Sequence, residues 1–152
     1  MAVDWQFFTF AELDAATVYG FLKLRQDVFV LEQKCLYPDI DGLDLSCWHL
    51  VGKKEGAVIG YLRIIPPEHH PKAVPAIGRV VVAPAHRGQG LATQMMRHAI
   101  RHCAQHYPGQ DLFLSAQTYL VTFYQSLGFV SVGAPYLEDG IEHIDMFKRE
   151  SA

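Results

Sequence analysis

Arg87-Gly88-Gln89-Gly90-Leu91-Ala92 joins a fixed positive charge, two glycines and the start of an amphipathic run. Glycine lets a backbone come close to a ligand, the first N–H groups of a helix lack partners within it, and the helix dipole adds positive potential at that end. Such a turn suits an anion, above all a phosphate. The same spacing also fits a helix start that uses glycine only to change direction, so context has to decide. A Walker A loop needs Lys and then Ser or Thr after its last glycine, and Leu91-Ala92 stands there instead. The dinucleotide fingerprint keeps Gly88 and Gly90 but meets Thr93 at its third small position, and Asp111 opens a strand where an acid should end one. It stays as the weaker alternative.

Other residues have chemical and structural readings side by side. His98, His102 and His106 recur every four residues, a metal-binding spacing, but they share a polar stripe with Arg97 and Arg101. An exposed helix face is expected there, and no metal. Asp39, Asp41 and Asp44 could attract a cationic amine or form a solvated loop; their glycine placement does not match an EF-hand. Cys35 lies near that loop, with no local signature of a Cys–His pair.

The elements that must position these residues follow from hydrophobic periodicity. Trp5 to Phe10 predicts a strand, and the recurrence from Leu13 to Leu31 predicts a helix capped by Asp14 and interrupted by Gly20. Cys35 to Leu45 is an irregular connection. Cys47 to Gly52 and Ala57 to Ile65 form a hairpin around Lys53-Lys54-Glu55-Gly56, and Ala76 to Ala83 is a buried strand that Pro84 ends. Gly90 to Tyr107 is the clearest helix, with Leu91, Met95, Met96, Ala99 and Cys103 on one stripe. Leu112 to Ala116 is a strand, Tyr119 to Leu127 a short helix closed by Gly128, and Phe129 to Val132 and His143 to Lys148 complete the sheet. Strand-helix-strand units among hairpins imply an α/β (α+β) domain with a mixed sheet and helices on its faces.

The chain has 152 residues, half of them apolar, enough for one core and one domain over residues 1–152. A formal net charge of −3 gives no general reason to bind nucleic acid. No apolar run spans a membrane, and Met1-Ala-Val-Asp-Trp does not read as a signal peptide, so a cytoplasmic location is expected. Three widely spaced cysteines point to reduced thiols.

Arg87-x-x-Gly90-x-Ala92, after a hydrophobic strand ending at Pro84, resembles the acetyl-CoA signature of GNAT N-acetyltransferases. Gln117, Phe123-Tyr124 and Gly128-Phe129 look like the family's downstream motif, with Gln117 where many members have Asn. Leu24-Arg25-x-x-Val28-Phe29-Val30-x-Glu32-Gln33, Tyr37-x-x-Ile40-Asp41-Gly42-x-Asp44 and His143-Ile144-x-Met146 resemble the ElaA-like branch. This likeness implies an acyltransferase with acetyl-CoA as co-substrate, and a splay between the Val80 and Leu112 strands. It implies cofactor contacts at Val80, Val82, Arg87, Gly88, Gln89, Gly90, Leu91, Ala92 and Gln117, with the pantetheine arm along the Val80 strand. Attack by a neutral amine in a ternary complex would be assisted by a backbone N–H near Val82 and by Tyr124 as general acid, although an aromatic in a short helix is ordinarily core. The base candidates are Glu32, His49 and His143, with Glu32 and His143 ranked first because they fall in the branch-like segments; each also reads as an ordinary hydrogen-bonded residue. The acceptor is an amine of a small molecule, peptide or protein, and a homodimer is an open assembly. The competing class is a non-catalytic acyl-CoA sensor using the same glycine turn.

Overall fold

The computed structural model describes residues 2–150. Strand β1 (Asp4–Thr9) leads to helix α1 (Ala15–Arg25), whose N-cap Asp14 accepts a hydrogen bond from the Thr17 amide at 2.7 Å. Gly20 is used for packing: a Cβ there would lie 3.0 Å from Val58 Cγ2 on the sheet. The predicted helix through Leu31 changes character, because Gln26–Glu32 is a π-helix, a form that recurs at functional sites. Asp44–Ser46 then form one turn of 3₁₀-helix.

Strands β2 (Trp48–Lys54), β3 (Ala57–Ile65) and β4 (Ala76–Val82) follow as an antiparallel meander, with the first turn tightened to Glu55-Gly56. Helix α2 (Leu91–His106) buries Leu91, Met95, Met96, Ala99, His102 and Cys103. Complete burial of each methionine contributes about 1.5–3 kcal/mol in transfer free energy. After β5 (Leu112–Gln117) comes the short helix α3 (Val121–Gln125), closed where Gly128 takes φ 97° and the Phe129 amide bonds the Tyr124 carbonyl at 3.2 Å. The next strand extends well past the expected Val132: β6 runs Val130–Glu138 and pairs with β7 (Ile141–Lys148) around Asp139-Gly140.

The seven strands lie in the order β1-β2-β3-β4-β5-β7-β6, a mixed sheet with helices on its faces. The face bearing α1 covers Val51, Tyr61 and Val81; the face bearing α2 and α3 covers Leu50, Leu62, Ile64, Leu112, Leu114 and Met146. The junction between β4 and β5 differs from its neighbours. These parallel strands pair at Ala76 and Phe113, and no further pair forms between them among the described residues.

Candidate active site

Past Ala76 the two central strands separate, so β4 keeps its partner β3 but has none on its other edge. The Ala83 amide bonds the Ile59 carbonyl of β3 at 2.8 Å. Because successive backbone groups of a strand point to opposite edges, Val80 and Val82 direct their N–H and C=O toward the gap. Consistent with that direction, the Val82 carbonyl accepts from Arg87 Nε at 3.4 Å.

Beyond β4, Pro84–His86 make one turn of 3₁₀-helix, and Gly88 and Gly90 take φ of 77° and 75°. Gly90 is the N-cap of α2 in the left-handed region, where a Cβ is strained. Nothing lies within 4 Å of where either Cβ would stand, so the space in front of the turn is open. The Gln94 amide closes the first helical turn on the Gly90 carbonyl at 3.2 Å. The amides of Leu91, Ala92 and Thr93 precede that bond and lack an acceptor in their own helix. A chain of donors without helical acceptors therefore sits at the end of a strand with a free edge, which fits a diphosphate joined to an extended amide-bearing arm.

Arg87 stands at the start of this turn and is half exposed. Its Nη1 and Nη2 bond Glu32 Oε2 and Oε1 at 2.6 and 2.7 Å. The bond to Arg87 holds the Glu32 carboxyl below its ordinary pKa, and the same bond raises that of Arg87. Tyr124 lies on α3, 7% exposed, in the apolar cluster that also takes in Val80, Val82 and Ala116 from both sides of the gap. Burial pushes its phenol up to about 12.

Gln117 ends β5 and its Nε2 lies 3.4 Å from Gln33 Oε1. Directly opposite it in register on β7 is His143, nearly buried and stacked on Tyr136. His143 Nδ1 is 2.7 Å from the Ile141 carbonyl, which can only accept, so this nitrogen carries the proton. Nε2, the other ring nitrogen, lies 3.7 Å from Glu138 Oε2. Beside it, Tyr136 bonds both Ser115 and Asp145, the latter at 2.7 Å. The sequence offered no periodic or motif signal for Ser115, Tyr136 or Asp145; Gln33, in contrast, lies inside the Glu32-Gln33 segment quoted above.

Residues 8–150 match the Acetyltransferase (GNAT) domain family. The chain belongs to the GNAT family. It is an acyltransferase of that family, and its relatives bear out the ElaA-like branch: it is 41% identical to Protein ElaA of Escherichia coli strain K12 over 146 residues, 95% of each chain. The crystal structure of Escherichia coli ElaA superposes with a TM-score of 0.89 at 39% identity, over 98% of this chain and 100% of that one. An acyl-CoA N-acyltransferase from Pseudomonas aeruginosa gives 0.92 at 41% identity, over 97% and 99%. The fold expected from the motifs is therefore that of GNAT acyltransferases.

Several candidates have other roles in this GNAT chain. Asp39, Asp41 and Asp44 are not a free acidic loop. Arg25 Nε and Nη1 bond Asp39 and Asp44, both at 2.8 Å; Arg63 Nη1 bonds Asp41 and Asp44 at 2.8 and 3.0 Å; Arg79 Nε stands 2.8 Å from Asp39. Three guanidinium groups consume the three carboxylates, which corrects their reading as an attractor for a cationic amine. Burial opposes ionisation of Asp41 and Asp44, yet Arg63 and Arg25 hold both below the ordinary carboxylate range. His49 is fully buried, with Nδ1 2.6 Å from Tyr61 Oη and Nε2 2.8 Å from the Asp44 carbonyl, so neither nitrogen is open to an acceptor. Cys35 Sγ contacts the Asp139 carbonyl at 3.3 Å. His102 departs from the exposed stripe expected of it: it stacks between Phe7 at 3.9 Å and His106 at 4.1 Å, with Trp48 against its edge. Residues 95, 99 and 102 lie one helical turn apart, so burial of Met95 and Ala99 brings His102 to the sheet as well. Among the described residues no helix is long and apolar enough to cross a membrane.

Proposed function

We propose that this GNAT chain transfers an acetyl group from acetyl-CoA to a primary amine of a small molecule, peptide or protein, in a ternary complex. The observation that carries the proposal is the free edge of β4 running into the open glycine turn. Bound acetyl-CoA supplies an acetyl group activated as a thioester. The amides from Gly88 to Thr93, Gln89 among them, and Arg87 receive the diphosphate, while the edge groups of Val80 and Val82 hold the pantetheine arm as a strand would. Gln117 offers its amide to the same arm from the opposite side of the gap. The Val82 N–H is aimed to stabilise charge on the thioester oxygen, an interaction strengthened by exclusion of water.

With a pKa pushed to about 12, Tyr124 keeps its proton at neutral pH and can donate to sulfur as the C–S bond breaks. Acceptor amines are mostly protonated at neutral pH, so a base must act before attack. His143 Nε2 fits that task by position, with Nδ1 fixed by a carbonyl and the ring directly opposite Gln117 across the β5–β7 pairing. Glu32 fits it poorly, because both carboxylate oxygens are committed to Arg87. Thiol release with a panel of amines tests the assignment. Tyr124→Phe should lower kcat about 100-fold with the acetyl-CoA KM little changed, and His143→Gln should lower kcat by a similar factor. Normal turnover of Tyr124→Phe would remove the acid role.

A further inference from the structure

Three of the four residues from Glu32, the last of the π-helix, to Cys35 reach three separate elements. Glu32 meets Arg87 of the glycine turn, Gln33 meets Gln117 at the end of β5, and Cys35 meets the Asp139 carbonyl of the β6–β7 turn. The π-helical register makes this reach: the Gln33 and Cys35 amides bond the Val28 and Val30 carbonyls five residues back, both at 3.0 Å. One extra residue in a turn rotates everything after it by about 100° relative to a continuous α-helix. Lys34, at φ 52°, then lets the chain turn toward β6 and β7.

We infer that Glu32 and Gln33 are positioning residues of the cofactor site, Glu32 setting the direction of Arg87 and Gln33 that of Gln117. The inference rests on the acyl-CoA reading above. A guanidinium has five N–H donors in a rigid fork. Two go to Glu32 and one to the Val82 carbonyl, and two remain for a diphosphate. Holding a long, half-exposed side chain in one orientation removes rotamer entropy that binding would otherwise cost. Gln33 does the same for Gln117, whose longer side chain, compared with asparagine, has more freedom to lose.

Coenzyme A and pantetheine affinities, measured by calorimetry, separate positioning from general structural support. Arg87→Ala is expected to weaken coenzyme A about tenfold and Glu32→Ala about fivefold, while the double variant is no weaker than Arg87→Ala alone. Pantetheine lacks the diphosphate, so its affinity should be unchanged by Glu32→Ala and reduced by Gln33→Ala. If Glu32→Ala tightens coenzyme A, or if the two losses multiply, Glu32 is a competitor or a bystander and the inference is overturned. If Arg87→Ala itself leaves coenzyme A affinity unchanged, the placement of the diphosphate fails, and the role of Glu32 fails with it.

Discussion

Arg25 and Arg87 each take carboxylates from the stretch between α1 and β2, yet the two regions are built for different ends. Arg25 is completely buried, and with Arg63 and Arg79 it neutralises Asp39, Asp41 and Asp44 in a closed knot that pins the connection to the sheet. Arg87 is half exposed, bonded to a single carboxylate, and followed by glycines that face open space. In the knot the charges are largely withdrawn from water and pair with one another, so loss of one strands its partners, and each carboxylate is already taken by a guanidinium. In the turn the donors remain available, and glycine takes both left-handed positions without strain. Charge density alone does not identify a binding site; unspent hydrogen-bonding capacity does.

The comparison predicts opposite consequences for the two regions. Asp44→Ala leaves Arg25 and Arg63 short of a shared partner in the interior and should cost about 3–5 kcal/mol, lowering Tm by about 10 °C. The coenzyme A affinity of the protein that stays folded should be unchanged, measured below the lowered Tm. Gly90→Ala should do the reverse. It forces a Cβ into the left-handed region at about 1–2 kcal/mol of stability, and it puts that Cβ into the ligand space, so coenzyme A affinity should fall more than the Tm implies. Equal effects on stability and affinity in both variants would erase the distinction.

The pH dependence sharpens it further. Burial and the nearby His106 lower His102 from 6.5 to about 4, so stability is complete above pH 6.5 and declines as pH falls toward 4 and the stacked ring must be protonated. Asp41 and Asp44 are held below their ordinary 3.8, so their contribution is present above that value and is lost as pH falls below it. Chemical denaturation from pH 7 to 3 should show two successive losses, and His102→Phe should delete only the upper one.

Most of this architecture was legible from periodicity, because the buried stretches of β3 and α2 are long and regular. The turn was legible for a different reason: Gly88 and Gly90 are demanded by backbone conformation, and conformation of that kind is written in the residue itself. The fate of Asp39, Asp41 and Asp44 was hidden because their partners come from three distant elements, and only the tertiary fold unites them. His102 was misread because a histidine is polar by composition and aromatic by shape, and Phe7 and Trp48 select the second property. The π-helix had no local signal, since the hydrophobic spacing from Leu13 to Leu31 is equally that of an α-helix.

Thermal unfolding with acetyl-CoA, coenzyme A, NADH and ATP in parallel tests the central claim most directly. A ligand that binds only the native state adds about 2.7 kcal/mol at 100 times its dissociation constant. The account predicts stabilisation by acetyl-CoA and coenzyme A that largely disappears in Gly90→Ala; no response to either, with a response to NADH or ATP, would contradict it.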